Sequence, residues 1–427
     1  MEIQPLEPTY CEPLGELVAR GLQHDGVDSV LKAVRKHLDM DVAFVSRFGL
    51  SERVLEYVDS DSKAPLTAGT TIPLEQGYCL KIVRGDLPEF MPDTSLIPAA
   101  MAIPETHSIP IGSHLSAPIR LSNGDAYGTL CCFSHLRNTS LGERDMKLMR
   151  AFADVLAAGF DKKRKVAEAE SFKATRIREA LDRGAPRMVF QPIFNMATGK
   201  MAGLESLSRF DVAPYRPPNE WFDLADEVGY RHHVELCAVG KAVESLDELD
   251  KSVFVGINSS PDLVSTRKLA FVLRHVDLSR VVLEITEHAT VDDYEALRAE
   301  LAPLRARGLR LAIDDAGAGY SSMRHILSLH PDLIKLDMSI TRDIDKDPKR
   351  RALAKALISF AHETKSLITA EGVETAEELE VLQNLGVDEV QGYFLGRPQP
   401  LQEAMATRTN FVPLAPASMQ RAAALSN

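Results

Sequence analysis

The chain has 427 residues, of which 45% are hydrophobic and 26% are charged, values that are typical of a soluble globular protein. This length accommodates two or three domains, and the composition excludes a wholly disordered or fibrous chain. Lys and Arg total 49 and Asp and Glu total 61, and the resulting formal charge of −12 argues against binding to duplex nucleic acid or an anionic membrane through broad electrostatics.

The sequence carries no signal for a membrane or a secretory route. No run approaches the ~20 apolar residues that span a bilayer, and the first residues lack a basic segment followed by an apolar one. The number of cysteines is odd and none forms a CxxC motif; they are Cys11, Cys79, Cys131, Cys132 and Cys237. These features predict a cytoplasmic protein with reduced cysteines and no membrane span.

The first part of the chain has the pattern of one α/β domain with an antiparallel sheet, which we place at residues 1–160. Helical periodicity or short helices are predicted at 12–22, 27–38 and 75–85. Strands are predicted at 41–48, 53–58, 115–121 and 126–134. The turn Ser122-Asn-Gly-Asp125 joins the last two strands, and Asn-Gly between two such runs is typical of a hairpin.

A long helical pattern follows, and it allows two interpretations. It begins after Thr139-Ser140, which caps the first turn, and Gly184 is the predicted stop. A charged patch, Asp161–Lys165, interrupts the apolar positions. Either two helices close the two domains separately, or one continuous helix couples the domains and pairs in a dimer. We assign residues 161–185 to a helical linker.

The pattern then changes to short apolar runs that alternate with helical segments, which is typical of a βα series. The runs are Met188–Phe194, Met201–Leu207, Val253–Ile257, Val281–Ile285, Leu309–Ile313, Asp332–Leu336, Leu367–Ala370 and Val387–Phe394. Eight such runs predict a TIM-type (β/α)8 barrel at residues 186–402. Residues 403–427 are rich in Ala, Ser and Pro and are predicted to form a flexible tail.

Polar residues end seven of these eight runs. They are Glu205 and Arg209, Asn258, Glu284, Asp314-Asp315, Lys335, Glu371 and Gln391. One strand-end acid alone is more often a helix cap or a surface charge. In a barrel, however, the carboxyl ends of the strands meet at one mouth, so we expect these side chains to converge.

Five carboxylates at one mouth repel one another unless cations neutralise them. Oxygen ligands without His or Cys suit hard cations such as Mg²⁺ or Mn²⁺, and five carboxylates exceed what one such ion takes. Two ions that share an aspartate form a device for in-line displacement at phosphorus. Lys335 lies inside an otherwise apolar strand. A buried lysine is costly without anionic partners, and these carboxylates would supply them.

These segments, over residues 175–400, resemble the EAL family of bacterial cyclic-di-GMP phosphodiesterases. The resemblance rests on an ordered set of motifs: Phe190-Gln-Pro-Ile193, Gly203-Leu-Glu-Ser-Leu-Ser-Arg209, Ile257-Asn-Ser259, Leu283-Glu-Ile-Thr-Glu287, Ile313-Asp-Asp-Ala-Gly-Ala-Gly-Tyr-Ser-Ser322, Asp332-Leu-Ile-Lys-Leu-Asp337, Ala370-Glu-Gly-Val-Glu-Thr375, and Gln391-Gly-Tyr393 with Arg397-Pro398. It implies a modified TIM barrel whose first strand runs antiparallel to the rest, and hydrolysis of cyclic-di-GMP to linear 5′-pGpG.

The resemblance also implies a ligand set for two divalent cations, Mg²⁺ or Mn²⁺. One is held by Glu205, Asn258, Glu284 and Asp314. The second is held by Asp314, Asp315 and Glu371. Among these, Glu205, Asp315 and Glu371 are assigned to catalysis together with Lys335, which orients or deprotonates the attacking water.

The substrate is expected to contact four further residues, which are Gln191, Leu207, Arg209 and Gln391. Glu287 corresponds to the family's glutamate that braces the loop after Asp315. A homodimer is implied by the same resemblance.

Two departures from the family pattern leave a second function open. Ser206 stands where the signature has Ala, and little effect is expected because both residues are small. Ala316 and Ala318 stand where the commoner loop has Phe and Thr. Every expected ligand is present, which favours an enzyme. The altered loop favours the alternative of an impaired EAL domain that acts as a cyclic-di-GMP receptor or interaction module.

The N-terminal domain resembles a GAF domain more weakly. The resemblance covers residues 15–160 and rests on element order and on Gly77-Tyr-Cys-Leu80, Met91-Pro-Asp-Thr94, Gly112–Ile119 and Gly128–Phe133. It implies a sensory module that regulates the barrel through an unknown small molecule, with His107 and His114 as candidate pocket residues. Cys79 is expected to be an ordinary core cysteine, and Cys131 and Cys132 are expected on opposite faces of a strand.

Overall fold

A computed structural model describes residues 24–61, 66–285, 291–317 and 320–408 of the chain. The chain divides into two compact units, Met1–Ala169 and Glu170–Asn427, each with its own hydrophobic cores. The predicted helix at 12–22, Cys11, Glu287, Ala318 and most of the predicted tail lie outside the described residues.

The N-terminal unit contains a six-stranded antiparallel sheet. Its strands are β1 (Val42–Phe48), β2 (Glu52–Ser60), β3 (Thr71–Pro73), β4 (Phe90–Met91), β5 (Ser113–Arg120) and β6 (Ala126–Ser134). Their order in the sheet is β3-β2-β1-β6-β5-β4. The predicted hairpin is confirmed, because β5 and β6 pair from Ser113 opposite Ser134 to Arg120 opposite Ala126 around the Asn-Gly turn.

Short helices cover both faces of this sheet. They are His24–His37, Tyr78–Arg84, Pro98–Met101 and Pro104–Ser108, with 3₁₀ turns at Leu74–Gln76 and Thr94–Leu96. Side chains alternate across the strands, so each face has its own core. Cys132 belongs to the core that contains Leu31 and Phe152, and Cys131 belongs to the one that contains Tyr78. The prediction that Cys131 and Cys132 face opposite sides is confirmed.

One uninterrupted helix, Glu143–Asp182, is present, so the second of the two interpretations, a continuous helix, is confirmed and the separate pair of helices is wrong. It contains no proline and a single glycine, Gly159, and the charged patch at 161–165 consists mainly of Lys and Arg, which are good helix formers. The helix therefore lacks a residue that would stop it before Gly184. That glycine adopts a left-handed conformation with φ of 85°, as a helix-ending glycine does.

The C-terminal unit is a closed barrel of eight strands. They are β7 (Arg187–Asn195), β8 (Met201–Arg209), β9 (Phe254–Ser259), β10 (Val281–Ile285), β11 (Arg310–Ala316), β12 (Leu333–Leu336), β13 (Leu367–Ala370) and β14 (Glu389–Val390). All eight predicted strands form, although β14 has only two residues. β7 runs antiparallel to both of its neighbours, β8 and β14, and every other neighbouring pair is parallel.

Helices surround the barrel in the α/β pattern that the sequence predicts. They are Pro218–Glu227, Arg231–Glu244, Pro261–Ser265, Lys268–Val272, Tyr294–Ala306, Tyr320–Leu329, Met338–Thr341, Pro348–Glu363, Ala376–Leu385 and Leu401–Ala406. Short 3₁₀ turns lie at Ser245–Asp247, Leu273–His275 and Leu278–Arg280. Within the described residues, no helix combines the length and the apolar character that crossing a bilayer requires.

The interior of the barrel is layered, and this layering positions the site. Val282, Ala312 and Leu333 belong to a small apolar cluster. Residues two positions further along a strand lie on the same face. Glu284, Asp314 and Lys335 therefore follow these apolar residues on the inner face, toward the carboxyl ends of the strands.

His114 generates a prediction about acid stability of the N-terminal unit. The ring is 1% exposed and stacks on Tyr78 at 4.6 Å between centroids. Burial, with the nearby Arg53 guanidinium, lowers the pKa of His114 from 6.5 to about 3. The folded form therefore needs a neutral ring, so its contribution to stability is complete above pH 6.5 and is lost as the pH falls toward 3.

Between pH 7 and pH 5, this residue is expected to cost the unit about 2 kcal/mol of unfolding free energy. Hydrogen exchange in urea, measured on peptides from Ser113–Ser134, gives the unfolding free energy of this unit separately from that of the barrel. His114→Gln should lose the extra pH dependence, whereas the exposed His107→Gln serves as the control. Equal pH dependence in the wild type and His114→Gln would contradict the prediction.

Candidate active site at the barrel mouth

The side chain of Lys335 lies at the centre of the mouth, 2% exposed. Its Nζ atom is 2.5 Å from a Glu284 carboxylate oxygen, 2.6 Å from Glu371, 3.2 Å from Asp314 and 3.5 Å from Glu205. Four carboxylates from four different strand ends thus converge on one ammonium group. The convergence that the strand-end pattern predicts is present in the structure.

The single positive charge of Lys335 does not balance the negative charges of four ionised carboxylates. Burial, together with the carboxylates of Glu205 and Asp314, raises the pKa of Glu284 to about 8, although Lys335 opposes the shift. The pKa of Glu371 is raised well above its ordinary value for the same reasons. Burial lowers the pKa of Lys335, but its four acidic neighbours outweigh burial and raise it well above 10.5. The mouth therefore favours additional positive charge.

A local irregularity in β11 brings Asp314 and Asp315 to the same cluster. Adjacent residues of a regular strand point to opposite faces. Here the pairing of β11 with β12 shifts register between Ile313 and Ala316, and Asp315 adopts a φ of 53°. Carboxylate oxygens of Asp314, Asp315 and Glu371 consequently lie within 4.8 Å of one another. Bulges of this kind re-aim side chains near functional sites.

Amide side chains complete the polar lining of the mouth. Gln391 Nε2 donates to Glu205 at 2.7 Å and to Gln191 at 3.1 Å, and Asn258 Nδ2 lies 3.4 Å from Glu205. Gln191 in turn donates to the carbonyl of Gly396 at 3.0 Å. The buried Oε1 of Gln391 has no hydrogen-bond partner within the described part of the chain. A buried acceptor left unpaired is expected to receive a ligand or water.

Two small residues, Gly256 and Ser206, lie beside the carboxylates of Glu284 and Glu205. A Cβ atom at Gly256 would overlap the carboxylate of Glu284, so a larger residue at this position of β9 would displace that carboxylate from where it pairs with Lys335. Ser206, next to Glu205, donates its hydroxyl to the carbonyl of Gly256 at 2.7 Å. Ser206 stands where the family signature has Ala. Its added hydroxyl has a hydrogen-bond partner, so its burial leaves no unpaired polar group.

Two cavities border the mouth. One, of about 380 Å³, is lined by residues that include Gln191, Glu205, Asp315, Glu371 and Gln391. The other, of about 290 Å³, is lined by both apolar and polar residues, among them Phe222, Arg209 and Asn258. Leu207 lines both cavities. The four residues that the sequence assigns to substrate therefore divide, with Gln191 and Gln391 at the first cavity and Arg209 at the second.

Sequence reasoning missed several residues that shape the first cavity. Arg342 and Tyr393 line it, Arg342 pairs with Glu374, and the guanidinium of Arg397 lies 4.3 Å from the centre of the Tyr393 ring. The hydroxyl of Thr341 donates to the carbonyl of Glu371. Tyr393 stands two residues after Gln391 in a recognised motif, so its position was available as a signal. Arg342 and Thr341 follow a strand end by several residues and carry no such signal.

The donor set fits hard divalent cations. A compact carboxylate cluster is formed by Asp314, Asp315 and Glu371. Lys335 also pairs with Glu205 and Glu284, which places these two carboxylates next to the cluster. All of these ligand atoms are oxygens, the type that Mg²⁺ and Mn²⁺ prefer. A second acidic trio, Asp343, Asp345 and Glu378, lies among the described residues, but Glu378 is occupied by backbone N–H groups of Asp343 and Glu374.

The family model of the EAL domain matches residues 174–398, slightly more than half of the chain. The chain belongs to the EAL domain family. The match starts inside the long helix and ends after β14, so it covers the complete barrel. It includes every residue to which the sequence assigns a catalytic, metal-binding or substrate role.

Named relatives agree with this membership. A cyclic di-GMP phosphodiesterase of Pseudomonas aeruginosa is 30% identical over 222 residues, which are 49% of this chain and 38% of that protein. The bifunctional diguanylate cyclase/cyclic di-GMP phosphodiesterase MucR of the same organism is 27% identical over 243 residues, 54% of this chain and 36% of MucR. The chain thus spans little more than a third of the length of these relatives.

A solved structure supports the fold of the barrel. The EAL domain protein from Listeria monocytogenes is 25% identical, with a TM-score of 0.50, over 54% of this chain and 95% of that one. EAL phosphodiesterases use divalent metal ions, and the acidic cluster at this mouth provides the ligand type that such ions require.

The charge imbalance at the mouth predicts stabilisation by divalent cations. Trp221 is the single tryptophan, lies fully buried against Phe210, and therefore reports unfolding of the barrel unit. Adding Mg²⁺ or Mn²⁺ at a hundredfold excess over its dissociation constant should stabilise this unit by about 2.7 kcal/mol. Thermal unfolding followed by tryptophan fluorescence measures the shift.

Asp315→Asn should reduce this shift strongly, because it removes one charge from the carboxylate cluster. The control is Asp343→Asn, which removes a charge from the acidic trio away from the mouth. Equal shifts in both variants would place the cation effect elsewhere on the unit.

Proposed function

We propose that the chain is a cyclic-di-GMP-specific phosphodiesterase that hydrolyses one phosphodiester bond to give linear 5′-pGpG. The observation that carries the proposal is the convergence of Glu205, Glu284, Asp314 and Glu371 on Lys335, with Asp315 beside them. Membership of the EAL domain family and the named relatives support the choice of substrate.

Two cations, Mg²⁺ or Mn²⁺, are proposed to bind the oxygens at this mouth. Glu205, Asn258, Glu284 and Asp314 would hold one of them. Asp314, Asp315 and Glu371 would hold the other. When bound, such ions generate a nucleophile from water at neutral pH and stabilise the charge on the leaving oxygen.

The chain's own residues have separate parts in this proposal. Lys335 is held by four ion pairs, which favours its acting as a fixed ammonium that orients the attacking water and balances the acids. The amide nitrogen of Gln391 donates to Glu205, and its buried oxygen, which has no partner among the described residues, suits a hydrogen bond from the same water. Both groups are buried, so little reorganisation is needed when the reaction occurs.

The two cavities suit a ligand with two nucleotide halves. Each is close to the size of a small-ligand pocket, and Leu207 lies at both. We assign one half of the cyclic dinucleotide to the acid-lined cavity, where its phosphate meets the carboxylate cluster and bound cations. The other half occupies the second cavity, where Arg209 offers a donor fork to phosphate or guanine.

Removing one carboxylate of the cluster should abolish turnover without abolishing the fold. Glu371→Gln and Asp315→Asn are each expected to lower the rate of pGpG formation by more than ~100-fold, because each deletes a direct ligand rather than an outer-shell group. Chromatography of the products in Mg²⁺ and in Mn²⁺ measures the rate. Asp343→Asn, outside the mouth, should retain the wild-type rate.

Binding must be measured beside turnover, because the altered loop leaves a receptor function open. Isothermal titration with cyclic-di-GMP and either cation gives the affinity of the wild type. Product formation by the wild type but not by Glu371→Gln supports the enzyme. Tight binding with no product under either cation would replace the proposal by the receptor or interaction module.

We also propose that the N-terminal unit is a GAF-like sensor of an unknown small molecule, and that the protein is a homodimer. The antiparallel sheet with helices on both faces supports the first proposal. His114 lines a small cavity with Arg53, Tyr78 and Glu105. His107 is exposed and does not line it.

If the N-terminal unit regulates the barrel, removal of residues 1–165 should change the rate of cyclic-di-GMP hydrolysis. The remaining chain keeps Ile177 and Ala180, which pack in the same cluster as Trp221, so the barrel retains its described packing. The turnover number should differ from that of the full chain, with tryptophan fluorescence checking the fold. A truncated chain that is folded and has the same rate would refute regulation within the chain.

A further inference from the structure

Two cysteines of the N-terminal unit lie next to one another although 52 positions separate them. Cys79 lies in the helix Tyr78–Arg84 and Cys131 lies in β6, and their Sγ atoms are 3.6 Å apart. Both residues are completely buried. The neighbouring Cys132 points into the other core, where its Sγ is 3.9 Å from the sulfur of Met149.

Polar groups contact the pair although both cysteines belong to an apolar core cluster. The Arg53 guanidinium donates to Cys79 Sγ and also pairs with Glu105. Hydroxyl groups of Ser116 and Thr129 each lie 3.1 Å from Cys131 Sγ. The Thr129 hydroxyl accepts from the Cys131 thiol, whereas the cationic Arg53 beside Cys79 stabilises a thiolate, which is the reactive form of cysteine.

We propose that Cys79 and Cys131 are a redox-active dithiol that peroxide converts to a disulfide within the folded N-terminal unit. The two sulfurs are 3.6 Å apart, and a disulfide bond of ~2.05 Å requires them to approach by roughly 1.5 Å. The inference concerns a modification site and is independent of the chemistry at the barrel mouth.

The geometry assigns different parts to the two sulfurs. Burial raises the pKa of the Cys79 thiol, but hydrogen bonding by Cys131 and the charge of Arg53 outweigh it, so the pKa lies well below its ordinary value. Burial and the proximity of Cys79 raise the pKa of Cys131 well above its ordinary value. Cys79 is therefore the attacking sulfur and Cys131 the resolving one.

The reaction balances with hydrogen peroxide as the oxidant. The Cys79 thiolate attacks one peroxide oxygen, the O–O bond breaks, and a sulfenic acid and hydroxide form. The Cys131 sulfur then attacks the sulfenic sulfur, its proton leaves with the displaced hydroxyl group, and a disulfide and water form. Two thiols and one peroxide thus give one disulfide and two molecules of water.

The test uses the full chain and needs no activity measurement. The folded protein is treated with hydrogen peroxide, remaining thiols are blocked with N-ethylmaleimide in denaturant, and peptides are mapped by mass spectrometry without reductant. We expect one cross-linked species that joins the Cys79 and Cys131 peptides, with Cys132 still alkylated. Oxidation should be slower than at the exposed Cys237, because burial requires local opening of the unit.

Variants separate this reaction from general oxidation. Cys79→Ser and Cys131→Ser should each eliminate the cross-link, whereas the matched variant Cys132→Ser, at an equally buried neighbour, should retain it in full. Hydrogen exchange of Ser113–Ser134 confirms that the unit is folded during treatment. The proposal is overturned if prolonged treatment oxidises Cys237 completely without the Cys79–Cys131 species, or if Cys132 forms cross-links as readily as Cys131.

Discussion

The barrel mouth depends on one electrostatic constraint, which is a buried lysine among carboxylates that cannot all be ionised without further cations. Lys335 alone contacts four of them. Desolvation makes each charge costly, and only mutual pairing or bound cations compensate. The same arrangement that would destabilise a purely structural core therefore creates affinity for divalent ions. Gly256 has no catalytic part, but its residue type is constrained because a Cβ atom there would push the Glu284 carboxylate out of place.

Strand alternation accounts for most of the architecture that serves this constraint. Val282 and Glu284, Ala312 and Asp314, and Leu333 and Lys335 are each separated by two positions, so an apolar layer supports a polar one. Asp315 breaks the alternation through its left-handed backbone and the register shift of β11. A non-glycine residue in that conformation costs of order 1–3 kcal/mol, and such local strain clusters at functional sites.

The sequence predicted the eight barrel strands and the convergence of their polar ends because both follow from short-range periodicity and from the topology of a barrel. It did not predict the bulge at Asp314-Asp315, because register depends on contacts with β12. The long helix was left undecided, since its charged patch is compatible with a break or a continuous face. The pairing of Cys79 with Cys131 has no sequence signal, because a helix and a distant strand meet only through tertiary packing. The roles of Glu287 and Ala318 stay predictions.

The buried position of Ala316 bears on whether the altered loop impairs catalysis. Its side chain is completely buried in the large barrel core, which also contains Ile340 and Leu357, and so it faces away from the carboxylate cluster. Replacing a larger residue by Ala at this position changes packing behind Asp315 rather than the set of donor oxygens. The effect expected from such a change is a less firmly held Asp315, expressed in cation affinity, with the chemistry of the site otherwise intact. The phosphodiesterase and the receptor would have the same metal ligands. The altered loop therefore decides between them through how firmly it holds Asp315.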